Sequence, residues 1–217
     1  MSYSRHDLCE DDDTMDIEVR RTVPEDWDPL TRMIMVEWKF DLYSKGNGLN
    51  MSRHYLLHIL NGSTHALTVL VDGVPSGAVV LYVRSGERTD LSAEEDAARR
   101  AYADDPNIGL YDRDFGNITG AYAELCKDLI RPEWAELRLL IVSEDCKGMG
   151  LGKMLLRKAA EILREYKLDG LFFYTDTDCN FGFYDHLGAK RAGYKDVPCM
   201  DETLRVFGYS LDTRNIS

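Results

Sequence analysis

Three glycines, spaced two residues apart, stand where the most regular helical pattern of the chain begins. The run is Lys147-Gly148-Met149-Gly150-Leu151-Gly152-Lys153, and the strand-like alternation before it ends at Val142. Residues 150–166 then carry apolar side chains at helical spacing. Glycines let a backbone approach a ligand closely, and the unpaired amide groups of a helix N-terminus attract an anion. This order of strand, turn and helix predicts an α/β fold with a phosphate-binding turn.

Two familiar phosphate-binding patterns do not fit this spacing. A dinucleotide fingerprint would need a third glycine where Lys153 stands. A P-loop would need Ser or Thr at the position of Met154 to bind magnesium. A glycine-rich turn that binds no ligand remains the alternative interpretation.

Strand and helix patterns alternate along the rest of the chain. Strand patterns cover residues 17–23, 65–71, 76–83, 135–142, 171–174, 190–195 and 203–209, and Asp72-Gly73-Val74-Pro75 has the residues of a hairpin turn. Helical spacing covers residues 24–38, 51–60, 92–102, 120–129, 150–166 and 181–187. The patterns predict a mixed α/β fold with hairpins and one strand-helix-strand unit.

A chain of 217 residues fits one domain with room for an insertion. We expect an acidic mobile tail at residues 1–14 and a single domain at 15–210. Within that domain, residues 86–134 lack strong strand patterns and form a predicted helical insertion. Residues 211–217 form a predicted C-terminal tail.

The composition narrows the range of partners and the cellular compartment. A formal net charge of -12 disfavours binding to nucleic acid or to a membrane surface, and it suits a cationic amine or simply a soluble surface. Five cysteines without a C-x-x-C pair signal neither a disulfide framework nor a zinc site. Since no hydrophobic signal core or membrane-spanning run occurs, we expect a cytoplasmic protein.

The glycine-rich run and a segment downstream of it carry a family resemblance. Lys147-Gly148-Met149-Gly150-Leu151-Gly152 resembles motif A of the GNAT superfamily of N-acetyltransferases, Arg/Gln-x-x-Gly-x-Gly/Ala after a strand, with Lys147 in place of Arg or Gln. Downstream, Tyr184-Asp185-His186-Leu187-Gly188-Ala189 is similar to the Tyr-x-x-Leu-Gly-Phe segment of that family. The resemblance is sharp over residues 136–195 and loose over 17–209. It implies a mixed, mostly antiparallel central sheet flanked by helices.

The resemblance also implies how acetyl-coenzyme A would bind. The main-chain amides of Lys147, Gly148, Met149, Gly150, Leu151, Gly152 and Lys153 would hold the pyrophosphate, and the main chain of Leu140, Ile141 and Val142 would pair with pantetheine. Asn180 is a further candidate contact, although many members place their asparagine where Thr177 stands here. The thioester would lie where neighbouring strands splay apart, and the chemistry requires no metal.

Two residues are candidates for acid and base catalysis. Tyr184 matches the tyrosine that commonly protonates the departing thiolate, and aromatic packing is the alternative role for it. Glu136 occupies the position of the catalytic glutamate in the histone-acetylating branch, or is a solvated strand-end carboxylate. Strict alternation predicts Glu136, Arg138, Leu140 and Val142 on one face of their strand.

The resulting prediction is an N-acetyltransferase that moves an acetyl group directly to a primary amine of a small molecule or peptide in a ternary complex. The helices before residue 65 and the insertion would build the acceptor side, where Asp104, Asp105, Asp112 and Asp114 either attract a cation or form a solvated face. A homodimer is compatible with the resemblance. The rival hypothesis is a catalytically silent coenzyme-A-binding module with regulatory or interaction roles.

Overall fold

The computed structural model describes residues 15–216, and the predicted N-terminal tail lies outside these residues. Seven strands in this range form one sheet in the order β1-β2-β3-β4-β5-β7-β6. They are β1 (Ile17–Arg21), β2 (His65–Val71), β3 (Val74–Tyr82), β4 (Trp134–Val142), β5 (Gly170–Asp176), β6 (Lys190–Cys199) and β7 (Glu202–Asp212). Every neighbouring pair is antiparallel except β4 and β5, which are parallel. The predicted mixed, mostly antiparallel sheet is confirmed.

Helices cover both faces of this sheet. The described residues form α1 (Trp27–Glu37), α2 (Gly48–Leu60), α3 (Ser92–Arg100), α4 (Ile108–Cys126), α5 (Leu151–Glu165) and α6 (Phe181–His186), with short 3-10 turns at Pro24–Asp26, Phe40–Leu42, Glu144–Cys146 and Thr213–Asn215. No helix within residues 15–216 is long and apolar enough to cross a bilayer.

The apolar stripe of α5 packs on one face of the sheet. Leu155, Leu156, Ala159 and Leu163 are fully buried there beside side chains of β3, β5 and β7. Burial of one leucine side chain contributes roughly 1.5–3 kcal/mol. Residues of α1 and α2, including Leu30 and Met51, form the core of the opposite face. The glycine-rich turn therefore leads directly into a helix whose position is fixed by packing in the core.

The β2–β3 hairpin follows its sequence signal closely. Asp72 and Gly73 both have positive φ angles, 49° and 77°. Two consecutive positive φ values are typical of a type I′ turn, which matches the right-handed twist of the flanking strands. The predicted hairpin is confirmed.

The second helix of the insertion is longer than its sequence pattern predicts. It spans 19 residues, Ile108–Cys126, whereas helical spacing covers only residues 120–129. Gly109, Gly116 and Gly120 lower its intrinsic helix propensity. Burial of Tyr111, Asp114 and Tyr122 supplies the missing stability. Tyr122 packs where α4 lies on β6 and β7, and Tyr111 packs against Phe40 and Tyr43.

The C-terminal hairpin is also longer than predicted. β7 continues to Asp212, and Ile216 after it is only 4% exposed and packs in the core. The predicted C-terminal tail, residues 211–217, therefore begins inside β7.

A bulge in β4 changes which side chains share a face. Leu139 pairs with Val80, but Leu137 pairs with the next residue, Leu81, so Arg138 is an extra residue in β4. Beyond the bulge, the alternation of β4 side chains between the two faces of the sheet is therefore reversed. Leu140 consequently packs on the α5 side, whereas Glu136 pairs with Tyr82, whose face is opposite. The prediction that Glu136, Arg138, Leu140 and Val142 share one face is wrong for this reason.

Candidate active site

Strands β4 and β5 separate soon after they meet. Their parallel pairing covers only Trp134–Gly170, Ala135–Leu171 and Glu136–Phe172. Beyond this point β5 continues beside β7, and the edge of β4 that faces β5 has no strand partner among the described residues. The main chain of Leu140, Ile141 and Val142 lies along this open edge, so its outward amide and carbonyl groups are available to an extended ligand.

The glycine-rich turn after β4 exposes its amide groups. Gly148 and Gly150 have φ angles of 89° and 79°, in the left-handed region that favours glycine. Helix α5 begins at Leu151, and its first helical hydrogen bond runs from the Met154 amide to the Gly150 carbonyl. The amides of Gly148 and of residues 150–153 have no backbone acceptor within residues 15–216. These donors form an anion site at the positive end of the helix dipole.

The two lysines of the turn differ in their surroundings. The Lys147 ammonium group donates to Glu144 and lies 3.3 Å from the Glu37 carboxylate of α1. These contacts, mainly that with Glu144, raise the pKa of Lys147. Lys153 forms no salt bridge within the part of the chain that the structure describes, and it lines the cavity above the turn. Lys153 is thus the better placed cation for a bound phosphate.

A cavity of about 540 Å³ fills the gap between the diverging strands. Most of the sequence-predicted binding residues line it, namely Leu140, Ile141, Val142, Lys147, Gly148, Gly150, Leu151, Gly152, Lys153 and Asn180. Met149 does not line it and packs toward the α5 core instead. The free amides, the open strand edge and this volume fit an extended ligand that carries a phosphate group.

Tyr184 lies on α6, at the wall of the same cavity. Its ring is 4.5 Å from that of Phe173, measured between centroids, and its hydroxyl has no hydrogen-bond partner within the described range. Burial is the main cause that raises the pKa of Tyr184, and the Cys179 and Asp176 charges add to it. The hydroxyl therefore keeps its proton at neutral pH.

Glu136 lies where β4 and β5 are still paired. Glu136 lines neither this cavity nor the second cavity of the molecule. Its carboxyl group has no hydrogen-bond partner among residues 15–216. Burial raises the pKa of its carboxyl group, and Arg138 opposes that shift. The bulge at Arg138 thus separates Glu136 from the open part of the strand.

A second cavity of about 460 Å³ adjoins the first. The segment that follows α1 (residues 38–43), helices α2 and α4, the end of β5 and the β6–β7 turn line it. The two cavities share the residues Trp38, Tyr55, Tyr122, Arg138, Tyr174 and Asp176. A small molecule in the second cavity would therefore face a ligand in the first.

Asp176 is a residue of this site that sequence reasoning missed. It ends β5, is 4% exposed and lines both cavities. The Tyr122 hydroxyl donates to its Oδ2 at 3.1 Å, and the amides of Asp178 and Cys179 donate to Oδ1. The available signal was an aspartate close to the end of an apolar strand pattern. Which cavities this aspartate lines depends on where β4 and β5 separate.

The aspartates of the insertion have structural contacts. Asp105 is 6% exposed and accepts hydrogen bonds from Ser44 and Asn47. Asp114 is fully buried and accepts from the Met200 amide. Neither lines the second cavity. For these two residues, the expectation of a solvated face is wrong.

Comparisons with known proteins agree with this geometry. The acetyltransferase (GNAT) family model matches residues 27–189. No curated protein matches the chain.

Solved structures share the fold at low sequence identity. The Escherichia coli ribosomal-protein-S18-alanine N-acetyltransferase is 12% identical with a TM-score of 0.53, and the match covers 91% of this chain and 94% of that one. An N-acetyltransferase from Staphylococcus aureus Mu50 also has a TM-score of 0.53 and is 12% identical, with coverage of 91% and 99%. The candidate acetyltransferase yncA from Salmonella typhimurium, solved with its cofactor acetyl-CoA, has a TM-score of 0.51 and is 13% identical, with coverage of 91% and 94%. The family match over most of the chain and the shared fold lead to one conclusion: the chain belongs to the GNAT family of acetyltransferases.

Proposed function

We propose that this protein transfers the acetyl group of acetyl-coenzyme A to a primary amine by direct attack in a ternary complex. The proposal rests most on one observation: unpaired amides follow the positive-φ glycines, Gly148 and Gly150, beside the open edge of β4. That arrangement suits a pyrophosphate joined to an extended pantetheine arm. The structure of yncA with acetyl-CoA supports the same cosubstrate.

The free amides of Gly148 and of residues 150–153 would hold the pyrophosphate, with the Lys153 ammonium group nearby, whereas the Lys147 and Met149 amides already donate to Glu144 and Cys146. The open edge at residues 140–142 would pair with the pantetheine amides. Asn180 lines the cavity at the start of α6 and is a further proposed contact.

Tyr184 is the proposed acid. Its neutral hydroxyl would protonate the sulfur that leaves the acetyl group. Glu136, the base that the resemblance suggests, lines neither cavity, so it would act on the amine only through an intervening group.

The second cavity is the proposed acceptor side. Residues 38–43, α2 and α4 line it, which suits the expectation from the sequence that the early helical region and the insertion form this side. A cytoplasmic location and a homodimer stay predictions from the sequence and the resemblance.

Calorimetric titration with acetyl-CoA, beside ATP and NAD, tests the cofactor site. We expect one acetyl-CoA to bind per chain and Gly150→Ala to weaken binding by about tenfold. Alanine at a φ of 79° costs about 1–2 kcal/mol, and relief of that strain would turn the amides away. Gly109→Ala is the matched control, because Gly109 lies in α4 with open space around it and no positive φ.

Thiol release from acetyl-CoA in the presence of amines tests the activity. Binding without amine-dependent thiol release over a broad panel would favour the silent module. Absence of binding would contradict the proposal itself.

A further inference from the structure

The junction between the two cavities holds one buried carboxyl group. Asp176 is 4% exposed, whereas Asp178, Asp201 and Glu202 of the second cavity are exposed at its rim. Asp178 is also 3.9 Å from the Lys39 ammonium group. Glu37 of the first cavity is 22% exposed and lies 3.3 Å from the Lys147 ammonium group, so Asp176 is the most deeply buried carboxyl group among the described residues that line either cavity.

A third of the residues that line the second cavity are aromatic. Its aromatic residues are Trp38, Phe40, Tyr43, Tyr55, Tyr111, Phe115, Tyr122 and Tyr174. Aromatic faces attract both apolar groups and cations. A single deep carboxylate suits one ammonium group, and the guanidinium of Arg138 at the junction disfavours a second cation nearby. The deep part of the cavity thus suits one ammonium group carried on an aromatic or aliphatic body, because the other carboxylates of the second cavity, those of Asp178, Asp201 and Glu202, are exposed to water at its rim.

We propose that Asp176 binds the acceptor ammonium group and takes its proton, and that the acceptor is a primary amine on an aromatic or other apolar body. This inference rests on the proposed function. The carboxylate removes one proton from the ammonium group, and the neutral nitrogen bonds to the acetyl carbon. The carbon–sulfur bond of the thioester breaks, the thiolate takes the Tyr184 proton, and the second amine proton passes to solvent as the amide forms. Solvent then returns a proton to Tyr184 and removes one from Asp176.

The surroundings of Asp176 leave few other bases. The ionisable groups that interact with its carboxyl group are Tyr55, Tyr122, Asp178, Cys179, Tyr184 and Cys199. Burial raises the pKa values of the four tyrosine and cysteine groups deepest in this set, Tyr55, Tyr122, Cys179 and Tyr184, so they stay protonated near neutral pH. Burial also raises the pKa of Asp176, which makes its carboxylate a stronger base than an exposed one.

Asp176→Asn is the test variant because asparagine can keep the local structure. Its side-chain oxygen can accept from the amides of Asp178 and Cys179, and its amide can donate to the Tyr122 oxygen. Glu136→Gln and His58→Gln are the matched comparisons. His58 also lines the second cavity, but its Nδ1 lies 2.7 Å from Oε1 of Glu95.

The experiment measures kcat/KM for 2-phenylethylamine, n-hexylamine, spermidine and a lysine peptide from pH 6 to 10, together with calorimetric acetyl-CoA affinity. We expect the first two amines to have the highest values in the wild type. Asp176→Asn should lower kcat/KM at pH 7 by about 100-fold, within the usual range for loss of a general base, and leave acetyl-CoA affinity unchanged. Its rate should recover as the pH rises toward the amine pKa, because free neutral amine then replaces the missing base. A purely structural role would lower the rate without this recovery.

Several outcomes would overturn the inference while leaving acetyl-CoA binding intact. They are a rate of Asp176→Asn within threefold of wild type, a loss without recovery at high pH, and a larger loss in Glu136→Gln or His58→Gln. Preference for spermidine or the peptide would overturn the substrate class. Acetyl-CoA binding with no turnover of any amine would overturn the activity in the proposed function and this inference with it. If acetyl-CoA itself fails to bind, the proposed function fails and this inference fails with it.

Discussion

Tyr184 shows how one side chain can have two roles in the same place. Its ring packs with Phe173 and Phe183, so it contributes to the aromatic core beside the cavity. Its hydroxyl, by contrast, has no hydrogen-bond partner within residues 15–216, and burial raises its pKa so that it stays protonated. Packing fixes the ring, and a reaction at the cavity would use the hydroxyl.

Tyr184→Phe separates these roles, because phenylalanine keeps the ring and removes the acid. We expect kcat to fall by about tenfold or more, while acetyl-CoA affinity changes less than twofold. Steady-state thiol release and calorimetry measure the two effects. Tyr166→Phe is the control, since Tyr166 packs on His65 and lines neither cavity. Equal kcat values for Tyr184→Phe and wild type would remove the acid role.

Among the elements, α4 connects the insertion to the C-terminal hairpin. Asp114 in α4 is fully buried, and its Oδ2 accepts from the Met200 amide at 2.6 Å. Met200 lies in the β6–β7 turn with a φ of 52°, a conformation that favours glycine or asparagine. The aspartate therefore holds a strained turn that forms part of the second cavity.

Asp114→Ala should lower the free energy of unfolding by about 2–3 kcal/mol, because it leaves the partly buried Met200 amide without an acceptor and removes a charged hydrogen bond. The KM for the amine should rise as the turn loosens, with little change in acetyl-CoA affinity. Urea denaturation and steady-state kinetics measure both. Asp196→Ala in β6 removes only an exposed pair with Arg205 and should behave like wild type. If both variants unfold at the wild-type urea concentration, Asp114 does not hold the turn.

Across the whole molecule, opposite charges pair where the outer elements join the sheet. The Asp26 side chain, next to α1, is 1% exposed and receives two hydrogen bonds from Arg20 of β1. Burial alone would raise the pKa of Asp26, but the hydrogen bonds from Arg20 and the Val23 amide lower it below its ordinary 3.8. This ion pair connects the edge strand β1 to the start of α1.

The stability of the fold should therefore depend on pH through Asp26. Because the folded pKa is lowered, the contribution is complete well above pH 3.8 and is lost as the pH falls through the folded value. Asp26→Asn should cost about 1–2 kcal/mol at pH 7 and progressively less below pH 4. Urea unfolding from pH 2.5 to 7 measures this. Asp28→Asn is the control, since its carboxylate is 80% exposed. A difference in free energy of unfolding between wild type and Asp26→Asn that stays constant down to pH 2.5 would contradict the prediction.

Local patterns were enough to predict much of the fold. The glycine run, the stripe of α5 and the Asp72-Gly73 turn are encoded by neighbouring residues, because backbone conformation and helical spacing are local properties. The family resemblance used the same local run and correctly indicated the family.

Contacts between distant segments decided the rest. The bulge at Arg138 exists only where β4 meets β3, and it reverses the faces of the strand on either side. The length of α4 depends on burial against β6 and β7, which outweighs its glycines. The position of Asp176 at both cavities depends on where β4 and β5 part. None of these features has a short-range signal, since register and burial arise only when separate parts of the chain pack together.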